Sequence, residues 1–517
     1  MSGTLQKRAT LARPCWPIGR VILVLVGQAF FSLNVWPISA ERNISMGFTA
    51  RNGHQKVALV SCPLASRNAI PLALPSLAAY AELHGYPVEC LDLNMEFQDA
   101  IRAKGVAEDI WNAQHWYGSN PATIESTLEE IADDWAKIIM GGEPTIVGFT
   151  VTVTSMEVSL MMAKAIKRHS PATKTVFGGP ECKLSWRRFI AKKAVDFVVL
   201  GEGEQPFVKL LGALDQGLTQ FDIPAVVTKA ANAENHTSAV NTELDALPRP
   251  AFSKMALARY TQRGVTELPI LASAGCVQSC TFCSRNFLDG AYRCKSPQRI
   301  IDELQHNIET YGVKDFVFVD SLINGKVAQL VGWTSGVIEQ ALDIRWQANA
   351  ILSPRNSAQV LQTMRQSGCV RLWYGLESGS APILKDMRKF ADIQRIEQNL
   401  RDTHEAGILV TCYMLVGYPT ETEADFQATL DFLARNRSSI DSVLPSICYV
   451  GEETILEKKK DSYEISGEKG NWQNPNSTPD LREWRYQKLV SVAEALGIEV
   501  HGRGLIDYLP LPKEKPV

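Results

Sequence analysis

Short apolar runs of five or six residues alternate with longer stretches in which apolar positions recur every three or four, and this alternation occurs twice along the chain. The first series opens at residues 56–61, a run that reads as a buried strand. Leu74, Leu77, Ala78 and Ala81 then mark one face of a helix over 71–84, Gly85 stops it, and 87–92 reads as a second strand. A polar, tryptophan-containing stretch over 94–136 is expected to add helices. Strands follow over 145–150, 174–179 and 195–200, with helices over 155–169 and 207–214. Buried strands joined by amphipathic helices predict an α/β fold over 56–215, an open, mainly parallel, Rossmann-like sheet that takes ligands at its carboxyl edge.

A polar, proline-marked linker over 216–266 leads to the second series, 267–450. Helices over 297–310, 327–342, 357–367, 392–406 and 424–436 alternate with strands over 314–320, 344–349, 370–376, 409–416 and 442–450. Repetition of this unit with right-handed crossovers predicts a partial (β/α)6 barrel whose strand ends converge on one rim. Residues 451–517 read as a small α-containing extension, with a last helix over 481–496 ended by Gly497. At the end of the barrel and in this extension, Tyr449, Trp472 and Asn474 are candidates to roof a cavity, against the more ordinary role of anchoring a loop.

Composition bounds the partners. With 45% hydrophobic and 21% charged residues and a net charge of -3, the chain has the make-up of a soluble globular protein. It has no basic excess and no Lys/Arg block, so nucleic acid is disfavoured as a partner. Eleven cysteines are scattered rather than set out as a disulfide framework, which points to a reducing, cytoplasmic location. One segment cuts against this. Lys7, Arg8, Arg13 and Arg20 precede an apolar run from Val21 to Leu33, the pattern of a targeting segment. That run is shorter than the roughly 20 residues that span a bilayer. With Met46 shortly before the first strand, residues 1–55 read as an N-terminal extension or an upstream-start artefact, and membrane association through this segment is the expectation it adds.

Three cysteines, Cys276, Cys280 and Cys283, fall within eight residues just after an apolar strand. Closely spaced thiolates select zinc, copper or iron–sulfur chemistry, and three rather than four leave one coordination position for a ligand. The first gap is one residue longer than common zinc and ferredoxin spacings, and no histidine follows closely to complete a zinc site. A zinc knuckle or buried free thiols is the bland alternative. The C-x-x-x-C-x-x-C run, with Phe282 directly before its last cysteine, resembles the cluster loop of the radical S-adenosylmethionine (SAM) enzymes. The resemblance implies a 4Fe-4S cluster held by Cys276, Cys280 and Cys283, with a fourth iron left for SAM. It extends to later strand ends: Glu377 and Ser378 for the ribose hydroxyls, Gly417 and Pro419 in a turn beside adenine, Asp320 and Ser321 for SAM's amino group.

The first unit resembles the cobalamin-binding domain fused ahead of many such enzymes. By position, Gly178, Gly179 and Glu181 lie on one loop facing the corrin, and Gly201, Glu202 and Gly203 on the next. The loop over 62–68 lacks the histidine that coordinates cobalt from below in cobalamin mutases and methionine synthase; a lone Cys62 there reads as a buried small side chain. Together the resemblances imply SAM homolysis to a 5′-deoxyadenosyl radical, abstraction of a substrate hydrogen, and methyl transfer from methylcobalamin to an unactivated carbon of a small metabolite, lipid or peptide. A one-electron reductant such as flavodoxin or ferredoxin is the implied partner. The alternatives are a cyclase, ring-contraction or rearrangement enzyme of the same build without net methylation, and a non-enzymatic cobalamin and iron–sulfur binding protein. The tRNA methylthiotransferases carry three further cluster cysteines, a pattern that Cys62, Cys90 and Cys182 do not reproduce. Cys294, Cys369, Cys412 and Cys448 lack cluster spacing, and Cys412 and Cys448 read as buried strand residues.

Overall fold

Runs that are apolar on both faces need cover on both, and the first five strands obtain it as a parallel sheet between helices. In the computed structural model, which describes residues 54–63, 69–103, 122–230, 237–502 and 510–511, they are β1 (Val57–Ser61), β2 (Val88–Asp92), β3 (Ile146–Thr150), β4 (Lys174–Gly178) and β5 (Phe197–Val199). Their order is β2-β1-β3-β4-β5, all parallel. This is the flavodoxin-like arrangement of a doubly wound sheet, whose direction of winding reverses between β1 and β3. The helices are α1 (Ala73–Leu83), α2 (Leu93–Ala103), α3 (Ala122–Gly141), α4 (Met156–His169), α5 (Pro180–Ile190) and α6 (Glu204–Asp215). A sixth strand, β6 (Val226–Thr228), pairs antiparallel with β5. It falls inside the stretch read as a linker, where three residues are too few to establish a period.

The second unit is an open seven-stranded parallel sheet in which neighbours in sequence are neighbours in space. Its members are β7 (Leu268–Ile270), β10 (Asp315–Phe318), β11 (Arg345–Ala350), β12 (Cys369–Glu377), β13 (Leu409–Val416), β14 (Ser442–Ile447) and β15 (Glu499–Val500). A separate pair, β8 (Ser273–Ala274) and β9 (Arg293–Cys294), forms a small antiparallel ribbon. Six strands match the partial barrel; the seventh, β15, comes from the C-terminal extension and pairs with β14. The intervening helices α7 (Pro297–Tyr311), α8 (Val327–Glu339), α9 (Ala358–Gln366), α10 (Ile393–Glu405) and α11 (Glu423–Arg435) precede α12 (Pro479–Ala495).

Local chemistry fixes where these helices begin. Ser296, Ser357, Asp392 and Thr478 each accept a backbone N–H from the first turn of α7, α9, α10 and α12, and Thr422 with Asp425 forms a reciprocal capping box on α11. Under α8, Trp333 stacks on Phe318 at 4.9 Å and on Trp346 at 5.1 Å, a buried aromatic cluster that seats β10 and β11.

The expected membrane contact is corrected. Among the described residues no helix is long and apolar enough to cross a membrane, and the apolar run Val21 to Leu33 lies outside them.

Candidate functional site

The three cysteines sit on the connection of the β8–β9 ribbon, where Ser273 pairs with Cys294 and Ala274 with Arg293. Gly275 precedes the first of them at φ +80, and a Cβ there would lie 2.5 Å from the Ala291 carbonyl oxygen, so only glycine fits where the connection closes on itself. The Cys276 sulfur accepts the Gln278 N–H at 3.4 Å, and the Cys283 sulfur that of Arg285 at 3.5 Å. Between them, Thr281 donates its N–H to Met387 O at 3.2 Å, accepts from Leu456 N at 2.9 Å, and its hydroxyl meets Tyr418 Oη at 2.8 Å. The loop is thus braced from three directions.

Burial pushes all three thiols up, Cys280 to about 11, and mutual repulsion among the sulfurs adds to the rise at Cys276 and Cys280. They lie within each other's field, and a positive metal charge is what would hold them ionised. Among the described residues no three His, Cys, Asp or Glu side chains are grouped so as to hold a single metal ion. Thiolates that each bind a different iron of a cluster need no single focus.

Beside the cysteines, β12 loses register between Gly375 and Glu377, and Glu377 takes a left-handed φ of +71 that a non-glycine residue holds only at a cost. Its carboxylate is buried and pairs with Lys389 Nζ at 3.3 Å. Burial raises the Glu377 pKa; Lys389 opposes the rise. Against its own burial, Lys389 is held above its usual range by Glu377, Cys280 and Cys283, and its ammonium lies 5.9 Å from the Phe282 ring. Lys389 carries no motif and escaped the sequence reading.

The other strand-end residues are engaged within the protein. Asp320 Oδ2 accepts Ala272 N at 3.1 Å and Oδ1 accepts the Ser273 hydroxyl, so this buried acid, pushed up to about 6 by burial, braces the entry to the cysteine loop. Ser321 donates to Asp289 at 3.2 Å. Ser378 pairs with Thr429 on α11 at 3.0 Å. Gly417, at φ +75, donates its N–H to Glu421 at 2.7 Å, and a Cβ on it would meet Arg482 Cγ at 2.2 Å. Glu421 in turn pairs with Arg485 at 2.9 Å, and Pro419 O accepts from Asn474 at 2.8 Å. Arg482 and Arg485, both buried on α12, were missed; their i, i+3 spacing on a helix was the available signal. Trp472 is fully buried, donating to Cys448 O at 3.0 Å, so it anchors its loop, whereas Tyr449 is 45% exposed.

At the carboxyl edge of the first sheet, next to the β1–β3 reversal, is a mainly apolar cavity of about 310 Å³. Leu59, Phe149, Gly178, Gly179 and the run Gly201–Glu204 line it, and Leu271, just after β7, reaches it from the second unit. Gly179 (φ +102) and Gly201 (φ +85) are required by the chain itself: a Cβ would lie 2.7 Å from Val151 O and 2.3 Å from Ala239 O. Glu181 at the start of α5 is buried, with a pKa raised by burial, and accepts from Ser185. Glu202 turns its carboxylate to Arg293 of β9 at 2.8 Å. Cys62 is buried and pushed up to about 12 by burial, so it offers no ready thiolate.

Residues 270–433 match the model of the Radical SAM superfamily, and residues 65–211 that of the B12 binding domain. An uncharacterized methyltransferase of Pyrococcus horikoshii is 27% identical over 60% of this chain and 68% of its own length. The cytidylyl-2-hydroxyethylphosphonate methyltransferase of Streptomyces wedmorensis is 22% identical over 75% of this chain and 77% of its own. Among solved structures, the radical S-adenosylmethionine methyltransferase TsrM of Kitasatospora setae, with cobalamin and a [4Fe-4S] cluster bound, shares the fold at a TM-score of 0.59, 18% identity and coverage of 78% of this chain and 74% of that one.

Proposed function

The chain belongs to the cobalamin-binding radical SAM enzymes and acts on an organic substrate, and on that premise we propose that it is a C-methyltransferase that places a methyl group on an unactivated carbon of a small metabolite, lipid or peptide. When bound, the reduced cluster with SAM supplies hydrogen-atom abstraction and methylcobalamin supplies a transferable methyl group. Cys276, Cys280 and Cys283 would hold the cluster, leaving a position for SAM. Lys389 offers a partly desolvated ammonium for SAM's carboxylate, which frees Glu377 to accept from the ribose hydroxyls. The turn Gly417–Pro419, stiffened by Glu421 and Arg482, presents backbone to the purine. Asp320 and Ser321 act one step removed, Asp320 by bracing the entry to the cysteine loop.

For cobalamin, the cavity walls at Gly178–Gly179 and Gly201–Gly203 give backbone surface for close approach, and Glu181 follows Gly179 in the first turn of α5. The observation that carries the proposal is that Leu271, five residues before Cys276, lines this cavity, so both cofactors would border one substrate space. The methyltransferase names of two relatives support this reading, whereas two others are named cyclases. Electrons come from a one-electron donor such as flavodoxin or ferredoxin.

Anaerobic reconstitution with iron, sulfide and methylcobalamin, followed by methyl-labelled SAM and candidate substrates, tests the proposal. Label in a carbon–methyl product is the expected result. Product formed with 5′-deoxyadenosine but with no added methyl mass would overturn methylation in favour of cyclisation or rearrangement.

A further inference from the structure

One guanidinium joins the cysteine ribbon to the wall of the cavity. Arg293 stands on β9 opposite Ala274, two residues before Cys276. All five of its N–H donors are used: Nε to Ala291 O at 3.0 Å, Nη1 to Glu202 Oε2 at 3.1 Å and Asn241 O at 2.5 Å, Nη2 to Glu202 Oε1 at 2.8 Å and Asp289 O at 2.8 Å. Glu202 is itself fixed, accepting the Asn241 N–H, and it sits between the two wall glycines Gly201 and Gly203. A second contact runs parallel to the first. Lys183 on α5, the helix that starts beside Gly179, donates to the carbonyls of Phe287 and Leu288, the latter at 3.1 Å, in the short helix that follows Cys283. Its ammonium lies 4.8 Å from the Phe287 ring. Both contacts therefore end on the segment between the last cysteine and the close of the ribbon.

We propose that Arg293, assisted by Lys183, is a positioning residue that locks the cavity wall and the cysteine loop into one register, so that filling the cavity with cobalamin is felt at the cluster. The inference rests on the reading above that the cavity takes cobalamin and the cysteines a 4Fe-4S cluster. Lysine has three donors and no planar fork, so it keeps the charge at 293 and cannot reach the same five acceptors. Linkage makes the coupling reciprocal: cobalamin affinity changes on cluster reduction by the same factor that cobalamin changes the reduction equilibrium, about 59 mV for each tenfold for one electron.

The test uses the full chain, anaerobically reconstituted with iron and sulfide and titrated with hydroxocobalamin. Three quantities are read: cobalamin binding by absorbance, the paramagnetic spectrum of the reduced cluster, and its midpoint potential with and without cobalamin. In the wild type, saturating hydroxocobalamin is expected to shift both spectrum and potential. In Arg293→Lys both cofactors still bind and the shift is lost; in Lys183→Met it is reduced. If Arg293→Lys does not fold, Lys183→Met, which lies outside the cavity lining, carries the test, with both cofactors still bound and the shift reduced. A wild-type spectrum and potential indifferent to bound cobalamin, or a variant that keeps the full shift, overturns the inference and leaves the cofactor assignment standing. Failure of the wild type to bind hydroxocobalamin or to assemble a cluster overturns the assignment, and the inference with it.

Discussion

The Glu377–Lys389 pair is the most exacting demand made on single side chains. Both charges are largely withdrawn from water, so removing one partner strands the other, a loss of about 3–5 kcal/mol for buried pairs. Lys389→Met should therefore lower the melting temperature and raise KM for SAM tenfold or more, and adding Glu377→Gln should recover much of the stability but not the KM. Thermal denaturation and steady-state kinetics check both parts. Cys280→Ala should abolish the cluster's visible absorption and its paramagnetic signal after reconstitution, because it removes one of the three thiolates proposed to hold the cluster. The cysteines were legible because their geometry is set within eight residues. Lys389 was not, because a left-handed turn at Glu377 brings it to its partner, and nothing in the sequence marks that turn in advance. Asp320 was legible as a polar strand end, but the backbone and hydroxyl donors that occupy it come from residues 272 and 273, nearly fifty positions earlier.

At the scale of elements, the turn after β13 is held by α12. Gly417→Ala forces a left-handed φ on a residue with a Cβ and drives that atom into Arg482. The backbone strain alone costs about 1–3 kcal/mol, so a lower melting temperature and weaker SAM binding are expected, the first by calorimetry and the second by equilibrium titration. Long elements were readable because period and caps agree: the helix expected over 481–496 is α12, started by Thr478. Some elements of two or three residues were not, although β5 was expected within 195–200. The ribbon β8–β9 and the strands β6 and β15 exist only because a neighbour offers a ladder, and a dipeptide has no period to display.

Across the whole molecule, distant segments meet at Glu267, just before β7. This buried acid accepts Gln347 Nε2 and Leu511 N, each at 2.9 Å. Burial pushes its pKa up to about 7, the hydrogen bonds opposing, against about 4.3 in an unfolded chain. The folded state therefore binds this proton more tightly. Stability from it is fully present below about pH 4.3 and is lost as pH rises through 7. Glu267→Gln should accordingly raise the melting temperature at pH 8 and converge with the wild type by pH 4, as read by scanning calorimetry across that range. Two sheets in series were legible from the repeated rhythm. The contacts that unite them, such as Arg293 with Glu202, were hidden because 91 residues separate the partners.

The placement of β15 has a consequence for handling the protein. Residues 499 and 500 cover one flank of β14, so a version cut before Glu499 would leave that flank with free amide and carbonyl groups, a template on which a second molecule can add its own strand. Truncation at this point should convert a dispersed sample into one that self-associates with rising concentration, while leaving the cysteines and the cavity chemically intact.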